Sequence, residues 1–314
     1  MLTSRAVVLA KIETTYNTDP TPVAGTDAVL VQNVSWSHEG ARMNERPATR
    51  PGLGKLRHVY GGTLKALEFE CELKGAGAAY SASVRPEVDV LLRACGFGTT
   101  VVTTPGSESV TYKPVSTGHE SITLYYLEDG KRAVITGCRG NVEFSMETGS
   151  YGKAKFRFVG HEATPTDVAL PTPTFDSTVP PAIVGGAFAI GGYSAIISAL
   201  NFNPNNALAM PPNFSAADGY AEIRITGRDV SGSFDPEDVL VATKNFISEW
   251  KAGTTGALAS GTIGSAQYNR YSVSMPVVYY REVAPGDRDG IRTLDLTFGA
   301  AENTGDDEVS LLFN

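Results

Sequence analysis

Alternation of apolar and polar residues organises this chain. In the stretch 64–73, Leu67, Phe69, Cys71 and Leu73 fall on one side and Glu68, Glu70 and Glu72 on the other. That is the period-two pattern of a half-buried strand. The same reasoning predicts strands at 6–12, 28–37, 100–104, 109–113, 121–126, 132–137, 141–147 and 153–159. Glu128-Asp129-Gly130-Lys131 has the residues of a hairpin turn. One segment of this half has helical spacing instead: Val88, Leu91, Leu92 and Cys95, with Pro86 near the first turn and Gly96 as the C-terminal cap. Residues 16–22 are turn-rich and read as an extended arm, either disordered or laid on a neighbour.

The pattern breaks at 165–181, where Pro165, Pro171, Pro173, Pro180 and Pro181 lie among Thr, Asp and Ser. Such a segment suits an extended, semi-rigid linker. Beyond it the order of elements repeats. A hairpin spans 187–202 around Gly191-Gly192, a loop covers 205–218, and a strand is predicted at 220–230. A helix follows, with Asp235 as N-cap, Pro236 at the first helical position, and Val239, Ala242, Phe246, Ile247 and Trp250 on one face before Gly253. Gly98-Thr99-Thr100 and Gly253-Thr254-Thr255 follow the two helices, and both halves close with two strands. Aligning 64–73 with 220–230 needs a one-residue slip, which a bulge at Gly227 could absorb. The expected fold is therefore all-β dominated with a minor helical part: two tandem β-sandwich or barrel domains, each flanked by one short α-helix. The first is 1–164, with an N-terminal arm and the loop 41–58; 165–181 is the linker; the second is 182–314.

Composition narrows the function. At 314 residues the chain is long enough for two cores. A net charge of −8 argues against sequence-independent gripping of phosphate backbones. No apolar run approaches the roughly 18–20 residues of a membrane span, and residues 6–10 are too short for a signal-peptide core, so folding in a cytoplasm is expected. Cys71, Cys95 and Cys138 are odd in number and far apart, reading as small buried hydrophobes. No nucleotide-loop, nucleophile-elbow or zinc-helix motif occurs, and His38, His58, His119 and His161 are scattered. Asp287-Arg288-Asp289-Gly290 lacks the rest of a calcium loop and reads as a hairpin tip. No catalytic residue, metal site or cofactor is expected.

Two charge features stand out. The loop 41–58 carries Arg42, Arg46, Arg50, Lys55 and Arg57 against Glu45 alone, dense for an acidic chain. Arg forks suit carboxylates, so an inter-subunit contact is expected there. The matching loop 205–218 has no basic residue. The second feature is a candidate acidic surface of Glu68, Glu70, Glu72, Glu143 and Glu147, set against a basic strand face of Lys153, Lys155 and Arg157. Either the two charged strands pair, or the acidic face stands open and repels a polyanion.

Several short stretches together resemble the major tail tube protein of long, flexible-tailed bacteriophages. They are Gly61-Gly62-Thr63 leading into the alternating strand after Arg46-Pro47 and Arg50-Pro51-Gly52-Leu53-Gly54; Ile223-Arg224-Ile225-Thr226-Gly227-Arg228; Gly232-Ser233-Phe234-Asp235-Pro236-Glu237; and the ending from Gly286 through Leu296 to Gly305-Asp306-Asp307-Glu308. The resemblance implies a structural virion protein whose domains form six-membered rings, stacked into a tube that conducts double-stranded DNA without specific binding. It implies a location in the virion tail, and tape-measure, tail-terminator and tail-tip proteins as partners. With two domains per chain, a ring needs three chains. The competing expectations are a ligand- or carbohydrate-binding β-sandwich, which wants exposed aromatics where Trp36 and Trp250 follow core patterns, and a hydrolase, which wants an acid–base pair that is not found.

Overall fold

A computed structural model describes residues 5–314. Strands dominate, joined by two short helices, Asp89–Ala94 and Phe246–Ala252. The central feature is a sheet of eight antiparallel strands. The first half contributes Gln32–Glu39, Leu64–Glu72, Lys153–Glu162 and Lys131–Glu147, paired in that order. The second half contributes Ala199–Asn203, Ser231–Phe234, Ile291–Ala301 and Tyr271–Arg288, again paired in that order. In chain order each half therefore reads first, second, fourth, third strand. The halves meet where Lys131–Glu147 pairs with Ala199–Asn203, Phe144 opposite Phe202.

The third strand of the first half turns through a bulge at Gly137, whose φ is +61°, and its opening residues pair instead with Ile122–Glu128. Ala6–Ile12 pairs beyond that, which curls the sheet around the first helix. Ala189–Ile190, Gly256–Ala259 and Tyr271–Arg288 repeat this arrangement in the second half. The last strand, Ser310–Phe313, crosses back to pair with Ser109–Pro114. One contiguous apolar cluster runs through both halves, including Phe69, Phe156 and Phe158 of the first and Phe234, Leu296 and Phe298 of the second.

Several expectations need correction. Residues 131–147 form one bent strand rather than two. The second helix begins at Phe246, capped by the Asn245 side chain, which accepts from Ser248 N–H at 2.9 Å. Asp235 caps a strand instead: its carboxylate accepts from the N–H groups of Ser198 and Ala199. The strand expected at 220–230 is only Arg224–Gly227, which pairs with Ala207–Ala209 as a side hairpin. In the pairing order, the place that Leu64–Glu72 holds in the first half is held in the second by Ser231–Phe234. The arm at 16–22 lies on its own chain, with Tyr16 against His161 and Asp19 accepting from the Tyr125 hydroxyl. The Pro-rich segment is extended and tied down, as where the buried ammonium of Lys74 donates to Asp176 O at 2.9 Å beside Glu87.

Candidate assembly surfaces

One side of the eight-stranded sheet packs on the core; the other is polar except at Leu64, Ala66 and Val159, which Tyr220 and Ile223 cover. On the polar side the two charged strands are neighbours: Glu68 faces Arg157, Glu70 faces Lys155 and Glu72 faces Lys153. Arg157 Nε lies 3.1 Å from Glu68, a second nitrogen bonds Glu39, and Lys155 reaches Glu68 at 4.0 Å. Half-exposed pairs of this kind stabilise by roughly 0.2–1 kcal/mol each. The glutamate strand is thus flanked by cations rather than bare. Glu143 and Glu147 are exposed on the adjoining strand, separated by buried Phe144 and Met146. In the second half the same side shows Asn201, Asn203, Ser231, Ser233 and Thr297, with Asp295 and Glu282 carrying negative charge toward the far edge.

Each end of the sheet is an open edge. Gln32–Glu39 pairs with Leu64–Glu72 on one side only. At the other end, residues 282–288 pair only with the Ile291–Ala301 strand. Open edges are templates for another strand. Cross-strand rows relate the two halves residue by residue: Phe69, Phe156 and Val142 form one row, and Phe234, Leu296 and Val283 its repeat. By this register Trp36 corresponds to Phe202, and Pro285 to Phe144. Phe202 is buried by stacking on Phe144, with centroids 4.5 Å apart at 17°. Trp36 stays 48% exposed, and Trp250 37%. Both tryptophans follow core patterns in sequence, yet both lie at the surface.

The basic loop divides. Arg42 is held within the chain, its guanidinium 4.0 Å over the Tyr220 ring and donating to Gly219 O. Arg46, Arg50, Lys55 and Arg57 lie in the exposed excursion between the short strands Met43–Asn44 and Val59–Tyr60, with Lys55 3.4 Å from Glu45. Leu53 at its tip is fully exposed.

The corresponding side hairpin of the second half, 205–228, is folded down onto the first half. Arg139 clamps it, bonding Glu222 at 2.8 Å and Ile223 O at 2.5 Å while holding His119 O and Glu120 O on its other side. Asn206 donates to Cys95 O and Gly140 O. Tyr220 and Ile223 close a small apolar cluster over Leu64, Ala66 and Val159. Sequence reading missed this contact, because a lone Arg139 and a loop without basic residues carry no periodic signal.

A chain of Asp218, His161 and Tyr16 has the look of acid–base machinery. Asp218 lies 2.5 Å from His161 Nδ1, and His161 Nε2 3.1 Å from the Tyr16 hydroxyl. But that hydroxyl oxygen accepts the Ile223 N–H at 2.8 Å, and burial pushes its pKa up to about 12. The chain fastens the arm and the side hairpin to the sheet. Burial likewise pushes up the thiols of Cys71, Cys95 and Cys138. Among the described residues no cluster of His, Cys, Asp or Glu could hold a metal ion, and no helix is long and apolar enough to cross a membrane.

This architecture, a polar-faced sheet with open ends and a projecting basic loop, accompanies a match to a protein family described as phage tail tube protein, over residues 3–300. The chain belongs to that family. The match spans nearly the whole chain, so the tail tube assignment covers both halves. No curated protein matches the chain. A tail tube protein is a structural component of the virion tail.

Proposed function

We propose that this tail tube protein closes into rings of three chains, that the rings stack into a tube, and that the tube conducts double-stranded DNA during delivery to the host. The observation that carries this reading is the junction between the halves. Within one chain, the third strand of one repeat pairs with the first strand of the next. Applied once more, the same junction sets residues 282–288 of one chain beside Gln32–Glu39 of another, Pro285 against Trp36. Because each chain offers one edge of each kind, the contact is head-to-tail, the kind that forms a ring when its rotation closes. Six repeats per ring, the number the family resemblance implies, correspond to three chains.

In this arrangement the polar side of the sheet lines the lumen. Conducting DNA calls for a surface that does not hold phosphates, and gripping them requires unpaired Lys and Arg. Lys153, Lys155 and Arg157 stand opposite Glu72, Glu70 and Glu68, while Glu143 and Glu147 add negative charge. Mass measurement on isolated rings tests the stoichiometry: three chains are expected, and six would overturn it. Tape-measure, terminator and tip proteins belong to the same reading as partners at the tube's interior and ends.

A further inference from the structure

Resting on the three-chain ring, we infer a second lateral contact: the side hairpin of the first half seats on the second half of the neighbouring chain, with Tyr60 against the C-terminal end of the Phe246–Ala252 helix. The template is again internal. Ile225 lies nine residues before Phe234 and Tyr60 nine before Phe69, each on the second arm of its side hairpin, opposite Leu208 and Met43 respectively. Ile225 packs on Gly96, the glycine that ends the first helix; a Cβ there would lie 3.0 Å from its Cδ1. In the repeat both halves of this contact are vacant. Tyr60 is 60% exposed. Gly253, the left-handed glycine ending the second helix, has nothing within 4 Å of its Cβ position. Trp250 lies one turn earlier, partly exposed, its indole N–H on Arg281 O at 3.0 Å.

Charge supports the same partner. Residues 182–314 carry eight Lys and Arg against fifteen Asp and Glu, whereas 1–164 carry eighteen against seventeen. The excess negative charge therefore lies on the half that receives the hairpin, and the basic excursion 45–58 is borne by the hairpin itself. Glu282 is exposed next to Arg281, whose carbonyl holds the Trp250 indole and whose guanidinium already pairs with Asp229. Steering between such surfaces raises association rates and fixes register more than it adds affinity. A base held laterally leaves the loop tip free to project beyond the ring.

Cysteine pairs test this in assembled tubes, since the native thiols are buried. Tyr60→Cys with Thr254→Cys, treated with a short bis-maleimide, is expected to give covalent species that end at the trimer on a denaturing gel. A ladder running past the trimer would place the contact between rings and overturn the inference. Ser37→Cys with Ala284→Cys probes the sheet junction separately and is expected to end at the trimer too. If the junction pair closes at three while the hairpin pair gives only monomer, the hairpin seat is wrong and the ring stands. If the junction pair fails to close at three, the ring reading falls and takes the hairpin seat with it.

Discussion

Truncating Phe202 tests whether the two halves stand or fall together. Its ring is 2% exposed and stacks on Phe144 across the only strand pair that joins the halves within the central sheet. Phe→Ala in a core costs about 3–5 kcal/mol through lost transfer energy and the cavity left behind. The stacking itself contributes about 0.5–1.5 kcal/mol of that, recoverable as the coupling in a double-mutant cycle with Phe144→Ala. At a urea dependence of about 3 kcal/mol per molar, the Phe202→Ala midpoint falls by about 1–1.7 M. The assay is urea unfolding of unassembled protein in two single-tryptophan backgrounds, Trp250→Phe leaving Trp36 in the first half and Trp36→Phe leaving Trp250 in the second. A core continuous through both halves moves both reporters by the same amount. If Phe202→Ala shifts the Trp250 transition and leaves Trp36 where it was, the halves are separate folding units, and the single-core argument fails.

Arg139→Met should destabilise by roughly 3 kcal/mol, read as a lower thermal midpoint, because it strips a buried guanidinium from Glu222 and leaves the carbonyls of His119, Glu120 and Ile223 without their donor. Burial raises the Asp235 pKa, but hydrogen bonds from Ser198 and Ala199 and the charge of Arg288 more than offset it, so the folded value is depressed. The stabilisation is therefore present above the unfolded pKa of about 3.9 and lost as pH falls through the folded value. Asp235→Asn should lower the thermal midpoint at pH 7 and converge on wild type in acid; an equal deficit at both ends would contradict the sign. Replacing Arg46, Arg50 and Arg57 with Glu, all on the exposed loop, should leave a folded protein that forms rings and does not stack them. Normal tubes by electron microscopy would remove the loop from that role.

The tail tube resemblance and the β-dominated fold are both legible in the sequence, for different reasons. The resemblance rested on short motifs spread over the chain. The fold rested on Leu67, Phe69 and Cys71, and again on Val142, Phe144 and Met146, where one buried face imposes period two. The order of elements suggests a repeat, but its alignment of 64–73 with 220–230 does not match the strand pairing. Ser231–Phe234 is small and polar, with Gly232 at its centre, so it carries little strand propensity. It becomes a central strand because Ala199–Asn203 and Ile291–Ala301 flank it. The neighbouring stretch 220–230 looked more strand-like and drew the alignment. Asp235-Pro236 bears the signature of a helix start, yet the Asp235 carboxylate finds its N–H groups at Ser198 and Ala199, thirty-odd residues away in sequence. A cap motif records that N–H groups are wanted, not whose.

Alternation alone settled which side of each strand faces the core and which carries charge, because that depends only on residues two apart. Partnership lay outside its reach. The Glu68 strand could have stood beside the Lys155 strand or far from it, and the local pattern is identical in both cases. Chain closure around a shared core made them neighbours and paired Glu68 with Arg157 and Lys155. Trp36 shows the same limit from the other side. Its place in the core-facing row was correct, but exposure depends on what lies across the edge, and among the described residues no strand lies there. Its repeat partner Phe202 is buried only because Phe144, contributed by the other half, happens to arrive.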